Sequence, residues 1–239
     1  MPRPAAAGAD LRVEIELNEE IARHLQVLRL AAGEQIALFD GQGGEWAASI
    51  SAIGKRNATV QLLAFDAVER ESPLSIMLVQ ALATSDKMDF IVQKAVELGV
   101  TSIQPLATER ATLKLTGERE QKRMAHWQAV AQSACEQCGR NRVPVVAGLM
   151  SLEAWLATPA NSLRLMLHPD ADISLTQAVA PQQALSLVVG PEGGFSPREI
   201  ALAAQHGVQT ARFGSRVLRT ETAALAALAA LNALHGDLG

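Results

Sequence analysis

The chain has 239 residues, 49% of them hydrophobic and 19% charged, which excludes a disordered or low-complexity protein and suits one large domain or two small ones. Its formal net charge of −4 does not announce a general nucleic-acid binder, although positive charge gathers between Arg119 and Arg142. The longest apolar run, Thr222–Leu231, is too short to span a membrane, and Met1–Asp10 lacks a signal-peptide pattern. No membrane association and a cytoplasmic location are therefore expected.

Leu11, Val13, Ile15 and Leu17 alternate with polar residues and predict a strand. Asn18 offers an N-cap to a short amphipathic helix carrying Ile21, Leu25 and Leu28. Gln35–Phe39, Trp46–Ile53 and Thr59–Phe65 read as three more strands, joined by the turns Asp40–Gly44 and Gly54–Asn57. Strands this short and close together predict a small β-barrel, with Glu69–Pro73 as its exit linker.

From Leu74 the pattern alternates between strand and helix. Strands are expected at Leu74–Ala81, Ser102–Leu106, Val143–Ala147, Leu163–His168, Leu185–Val189 and Val208–Phe213. Helices are expected at Asp86–Leu98, Glu118–Cys138, Ser196–His206 and Thr220–Leu234, the first three followed by Gly99, Gly139 and Gly207. Strands apolar on both faces, interleaved with helices, predict a mostly parallel α/β sheet covered on each side. The expected division is 1–71 and 72–239.

Cys135 and Cys138 form a CxxC at the end of a helical pattern, with no second ligand pair at metal-binding spacing. Met124, Trp127, Ala131, Cys135 and Cys138 recur at helical spacing, so the thiols are expected on that helix's apolar side and no metal is expected.

Three strand ends could carry chemistry. In Leu185–Ile200 a buried strand runs into Gly190-Pro191-Glu192-Gly193-Gly194, and Ser196 with Glu199 forms a capping box with Pro197 at N1. The loop is neither a P-loop nor a GxGxxG, and Glu192 would repel phosphate, which favours a ligand that is not anionic there. In Phe213–Thr222, apolar Val217 and Leu218 sit where an exposed turn would be polar, and need protein or a flat ligand to pack against. Arg219 beside Thr220 and Glu221 can serve as a polar clamp or as a helix-start network. Leu167-His168-Pro169-Asp170 ends a third strand. Such loops at the carboxyl edge of a parallel sheet are where α/β proteins hold ligands.

Together these segments resemble the RsmE-type family of the SPOUT superfamily, the bacterial small-subunit ribosomal RNA uridine-N3 methyltransferases. The matching residues are Gly190–Gly194 with Ser196 and Glu199, Arg216–Thr222, Cys135–Pro144, Lys94–Val100, and His24 with Val27-Leu28-Arg29. The resemblance spans nearly the whole chain. It implies a PUA-like RNA-binding barrel followed by an α/β domain whose C-terminal segment is threaded into a trefoil knot, acting as a homodimer.

The resemblance further implies S-adenosylmethionine as methyl donor, held by Leu167, His168, Gly190, Pro191, Glu192, Gly193, Gly194, Phe213, Gly214, Val217, Leu218 and Arg219. Uridine N3 lies on the Watson–Crick edge and carries a proton, so the base must be unpaired and the reaction invites a general base or cations that stabilise the uridine anion. Glu136, Arg140, Asn141, Arg142 and Arg219 are the expected catalytic groups. RNA contacts are expected from His24, Arg29, Lys87, Lys94, Arg140 and Arg142, on small-subunit ribosomal RNA or an assembled 30S particle. The alternatives are a related knotted methyltransferase acting on another RNA, or a non-catalytic RNA-binding assembly factor.

Overall fold

The computed structural model describes residues 13–181 and 184–239, so Leu11 of the first expected strand lies outside the described residues. The described backbone divides into two compact units: one contains the described residues up to Arg70 together with Gly139–Val143, the other those of Glu71–Cys138 and Pro144–Gly239.

In the first unit, β1 (Val13–Leu17) leads through Asn18 into α1 (Glu19–Val27), and the Asn18 side chain accepts the Ile21 N–H at 3.0 Å. Strands β2 (Gln35–Leu38), β3 (Glu45–Ile53) and β4 (Ala58–Asp66) complete an antiparallel sheet of order β1-β4-β3-β2. Among the described residues β1 and β2 are its two edges, so the expected barrel is found as a four-stranded sheet. Period-two alternation sends Trp46, Ala48 and Ile50 of β3 and Ala58, Val60 and Leu62 of β4 to one buried face, which Ala22 and Leu25 of α1 cover. Trp46 is fully buried and its ring meets Phe65 at 4.8 Å between centroids.

Gly139–Val143, expected within 72–239, is instead built into this unit. Its backbone bonds the turn before β3, from Gly43 N–H to the Asn141 carbonyl (3.0 Å) and from Val143 N–H to the Gly41 carbonyl (3.1 Å). Asn141 Nδ2 donates to the Val68 carbonyl at 2.7 Å, and Arg142 pairs with Glu69 through Nε at 2.8 Å.

The second unit is a parallel seven-stranded sheet. Its strands are β5 (Ile76–Ala81), β6 (Ser102–Ala107), β7 (Val145–Val146), β8 (Met150–Ser151), β9 (Leu163–Leu167), β10 (Leu185–Val189) and β11 (Gln209–Ala211). The order is β11-β9-β10-β5-β6-β7, with β8 also against β6. The helices are α2 (Ser85–Glu97), α3 (Gly117–Cys138), α4 (Leu152–Leu156), α5 (Leu175–Ala178), α6 (Pro197–Gln205) and α7 (Thr220–His235).

Val79, Met166 and Val188 pack with Trp155 of α4 and Ala203 of α6 on one face of the sheet. Alternation turns the equally buried Leu78, Leu165 and Leu187 to the other, where α7 lies against β10 and α2 against α7 and α3. Trp127, Ala131 and Cys135 of α3 are buried as the helical spacing predicts, while Cys138 is half-buried. No helix among the described residues is long and apolar enough to cross a membrane.

Candidate functional site

Strands β11, β9 and β10 are neighbours and parallel, so their carboxyl ends deliver three loops, far apart in sequence, to one edge of the sheet. Around them lies a cavity of about 570 Å³, within the range of small-molecule and cofactor sites. The β9 end contributes Leu167, His168 and Pro169; the β10 end contributes Val189 to Glu192 with Gly194 and Phe195. The β11 end contributes Phe213, Gly214 and Arg216–Arg219, continuing into Thr220 and Ala223 of α7, and Lys87 and Arg110 complete the wall.

The β10 loop is fixed from both sides. Ser196 accepts the Glu199 N–H (3.1 Å) while Glu199 accepts the Ser196 N–H (2.8 Å), so the expected capping box is formed with Pro197 at the first helical position. Glu199 is only 2% exposed, and its second oxygen accepts the Glu109 N–H at 2.9 Å, tying the start of α6 to the loop after β6. Gly194 has φ +66°, a left-handed conformation that side chains resist. At Gly190 the constraint is proximity: a Cβ would lie 3.1 Å from the Phe195 ring.

Thr220, the first residue of α7, closes the loop from behind. Its hydroxyl donates to the Gly190 carbonyl at 2.6 Å and accepts from Gln80 Nε2 of β5 at 3.0 Å. One buried hydroxyl therefore holds the tip of β10, the start of α7 and the neighbouring strand together.

Charge across the site is arranged around Lys87, on the first turn of α2. Its ammonium lies 3.0 Å from Glu192 and 3.5 Å from Glu221. The hydrogen bond to Glu192 holds the Lys87 pKa above its usual value. Burial opposes ionisation of Glu192, but backbone N–H groups and Lys87 outweigh it and keep the carboxyl below the usual carboxylate range. Arg110 turns its guanidinium to the Gly193 and Phe195 carbonyls at 3.1 and 3.3 Å. His168 Nδ1 accepts the Asp170 N–H at 3.2 Å, which leaves the neutral ring's proton on Nε2 and makes that edge a donor. Val217 is 83% exposed at the mouth, so the partner its apolar side chain calls for is not supplied by the described residues.

Of the residues expected to hold a cofactor, all line this cavity except Gly193, whose carbonyl is taken by Arg110. Lys87, expected to touch RNA, belongs to the cavity wall. Lys94 pairs instead with Glu97 at 2.7 Å on α2, and Glu136 is exposed on α3 outside the cavity, where Gln132 donates to it at 3.3 Å. Arg140 and Asn141 are 5% and 1% exposed, so neither side chain presents the surface that gripping phosphate or uracil requires. Arg142 stays accessible but is paired with Glu69, and His24 and Arg29 are exposed on the first unit.

Arg110 was missed by sequence reasoning, as were Pro169, Val189, Phe195, Arg216, Thr220 and Ala223 as wall residues. The signal for Arg110 was present: Thr108-Glu109-Arg110 follows a parallel strand, as the three recognised loops do.

A family model for an RNA methyltransferase domain matches residues 70–232, and one for an RNA methyltransferase PUA domain matches residues 17–63. Ribosomal RNA small subunit methyltransferase E from Buchnera aphidicola (Schizaphis graminum) is 32% identical, over 94% of this chain and 92% of its own. The chain belongs to the ribosomal RNA small subunit methyltransferase E family. The Synechocystis methyltransferase E is 35% identical over 94% of this chain and 74% of its own. Two solved structures are similar throughout. The methyltransferase E of Neisseria gonorrhoeae bound to S-adenosyl methionine is 40% identical with a TM-score of 0.90, covering 100% of this chain and 98% of that one. A putative Legionella pneumophila methyltransferase in complex with its cofactor SAM is 40% identical with a TM-score of 0.91, covering 99% and 97%.

Proposed function

We propose that this protein transfers a methyl group from S-adenosylmethionine to N3 of a uridine in 16S ribosomal RNA. The observation that carries the reading is the convergence of the β9, β10 and β11 loops on one cavity with no phosphate cradle, in a fold shared at 40% identity with two S-adenosylmethionine-bound proteins. S-adenosylmethionine supplies an electrophilic methyl group on a cationic sulfur. The chain's residues fit the rest of it: Gly190, Pro191, Glu192 and Gly194 line the cavity beside a polar base edge, and Leu167, Val217 and Leu218 offer apolar cover for a flat ring.

The reading assigns cofactor binding to Leu167, His168, Gly190, Pro191, Glu192, Gly194, Phe213, Gly214, Val217, Leu218 and Arg219. Arg219 is exposed at the cavity's edge and stabilises the uracil anion formed as N3 loses its proton. Val217 stacks on the substrate base or on the cofactor and so gains its missing partner. The PUA-like unit binds RNA through His24, Arg29 and Arg142, and the protein works in the cytoplasm as a homodimer with a knotted C-terminal segment. A net charge of −4 favours an assembled 30S particle over naked RNA.

The test is to incubate the protein and S-adenosylmethionine with 30S particles from a strain lacking this methyltransferase, then to digest the RNA for nucleoside mass spectrometry. N3-methyluridine is expected, and Arg219→Ala should cut its formation by at least about tenfold. Methylation of a ribose or of another base atom would overturn the N3 assignment.

A further inference from the structure

Four of the charged side chains on the cavity wall are basic (Lys87, Arg110, Arg216 and Arg219) and one, Glu192, is acidic. Such a wall suits an RNA substrate, whose phosphates and ionised uracil are anions. It opposes a sulfonium, because like charges in a partly desolvated cleft repel more strongly than in water. The structure contains a local correction. Glu192, from the β10 loop, and Glu221, from the first turn of α7, converge on the single ammonium of Lys87 at 3.0 and 3.5 Å. Two carboxylates on one ammonium leave a net charge of −1 on that side of the site.

Among the described residues neither carboxylate pairs with a second cation. Glu192 also accepts from backbone N–H groups, the Thr84 N–H at 3.4 Å among them, and Glu221 Oε2 is shielded from solvent without a hydrogen bond. A carboxylate oxygen shielded from water is screened less than an exposed one, so its field reaches further.

We propose that the Lys87–Glu192–Glu221 cluster is a charge discriminator that favours the cationic methyl donor over its neutral thioether product. The inference rests on the cofactor reading above. When the methyl carbon leaves sulfur for the nucleophile, the C–S electron pair stays on sulfur and the positive charge disappears. The attraction to the cluster goes with it, while the hydrogen bonds and ring contacts common to both molecules persist. The cluster thus weakens retention of product without weakening capture of donor.

The experiment is calorimetric titration of the full chain with S-adenosylmethionine and, separately, S-adenosylhomocysteine, for the native protein and for Glu192→Gln, Glu221→Gln and Lys87→Met. The readout is the ratio of the two dissociation constants, which cancels any general loosening of the pocket. Each Glu→Gln change should lower the preference for donor over product by about tenfold, and Lys87→Met should raise it. Because the two kinds of variant move the ratio in opposite directions, a poorly folding member of the set does not remove the test. Equal weakening of both ligands, or a shift in one direction for all variants, overturns the proposal. A native chain that binds neither molecule overturns the cofactor reading instead, and this inference with it.

Discussion

Glu45 and Arg70 show how a single pair sets a pH response. The carboxylate accepts Arg70 Nη1 at 2.8 Å and Nη2 at 3.2 Å, a two-pronged contact that holds the Glu45 pKa below the usual carboxylate range. The folded-state pKa is depressed, so the pair's stabilisation is present above the unfolded value of about 4.3 and is lost as pH falls through the lower folded value. Both side chains are partly exposed, so the contribution is about 1 kcal/mol or less. Urea denaturation should show Glu45→Gln less stable than the native chain at pH 7, with the gap closing at about pH 3. A gap that stays constant with pH would mean the pair contributes nothing. In sequence Glu45 and Arg70 are two charges 25 positions apart with nothing to link them. Strand register sets Glu45 opposite Asp66 at the end of β4, and the chain leaving β4 carries Arg70 back to it, as burial withdraws basic Arg140 from the surface.

Helix α6 is the element on which the cavity most depends, because its first turn fixes where the glycine loop ends. Ser196→Ala removes one of its caps and should cost about 1 kcal/mol. Glu199→Ala should cost more, about 2–4 kcal/mol, because it strands the Ser196 and Glu109 N–H groups at a buried site. Denaturant titration would rank the two, and an equal cost would show that the bond to Glu109 is immaterial. This helix was legible in sequence, since Ser196, Pro197 and Glu199 are local signals, and so was β10, whose Leu185–Val189 run is apolar on both faces. Helices α4 and α5, of 5 and 4 residues, were not legible because periodicity needs more than one turn to show. The strand expected over Val208–Phe213 is shorter, Gln209–Ala211, and among the described residues β11 is an edge strand paired with β9. The three cavity loops could be named, but Arg110 and the grouping around Lys87 depend on strand order, which local pattern does not encode.

At the scale of the whole molecule, the chain passes between its two units three times: after Arg70, after Cys138 and after Val143. The excursion is short, yet Gly139–Val143 makes backbone bonds to Gly41 and Gly43, and Asn141 makes a side-chain bond to Val68. A fragment beginning at Glu71 would keep its own parallel sheet while leaving Gly139–Val143 without those partners. Limited proteolysis of that fragment should cut at or beside this segment at least about tenfold faster than in the full chain. Equal protection in both would show that the segment is ordered without the first unit.

The same three crossings bear on how such a protein can be inherited or rebuilt. A head group joined by one linker can be exchanged at one splice point. Here a recombination event at Arg70 would carry away the sheet and leave behind five residues shaped to fit it, so a graft succeeds only if donor and recipient agree at two separate stretches of the gene.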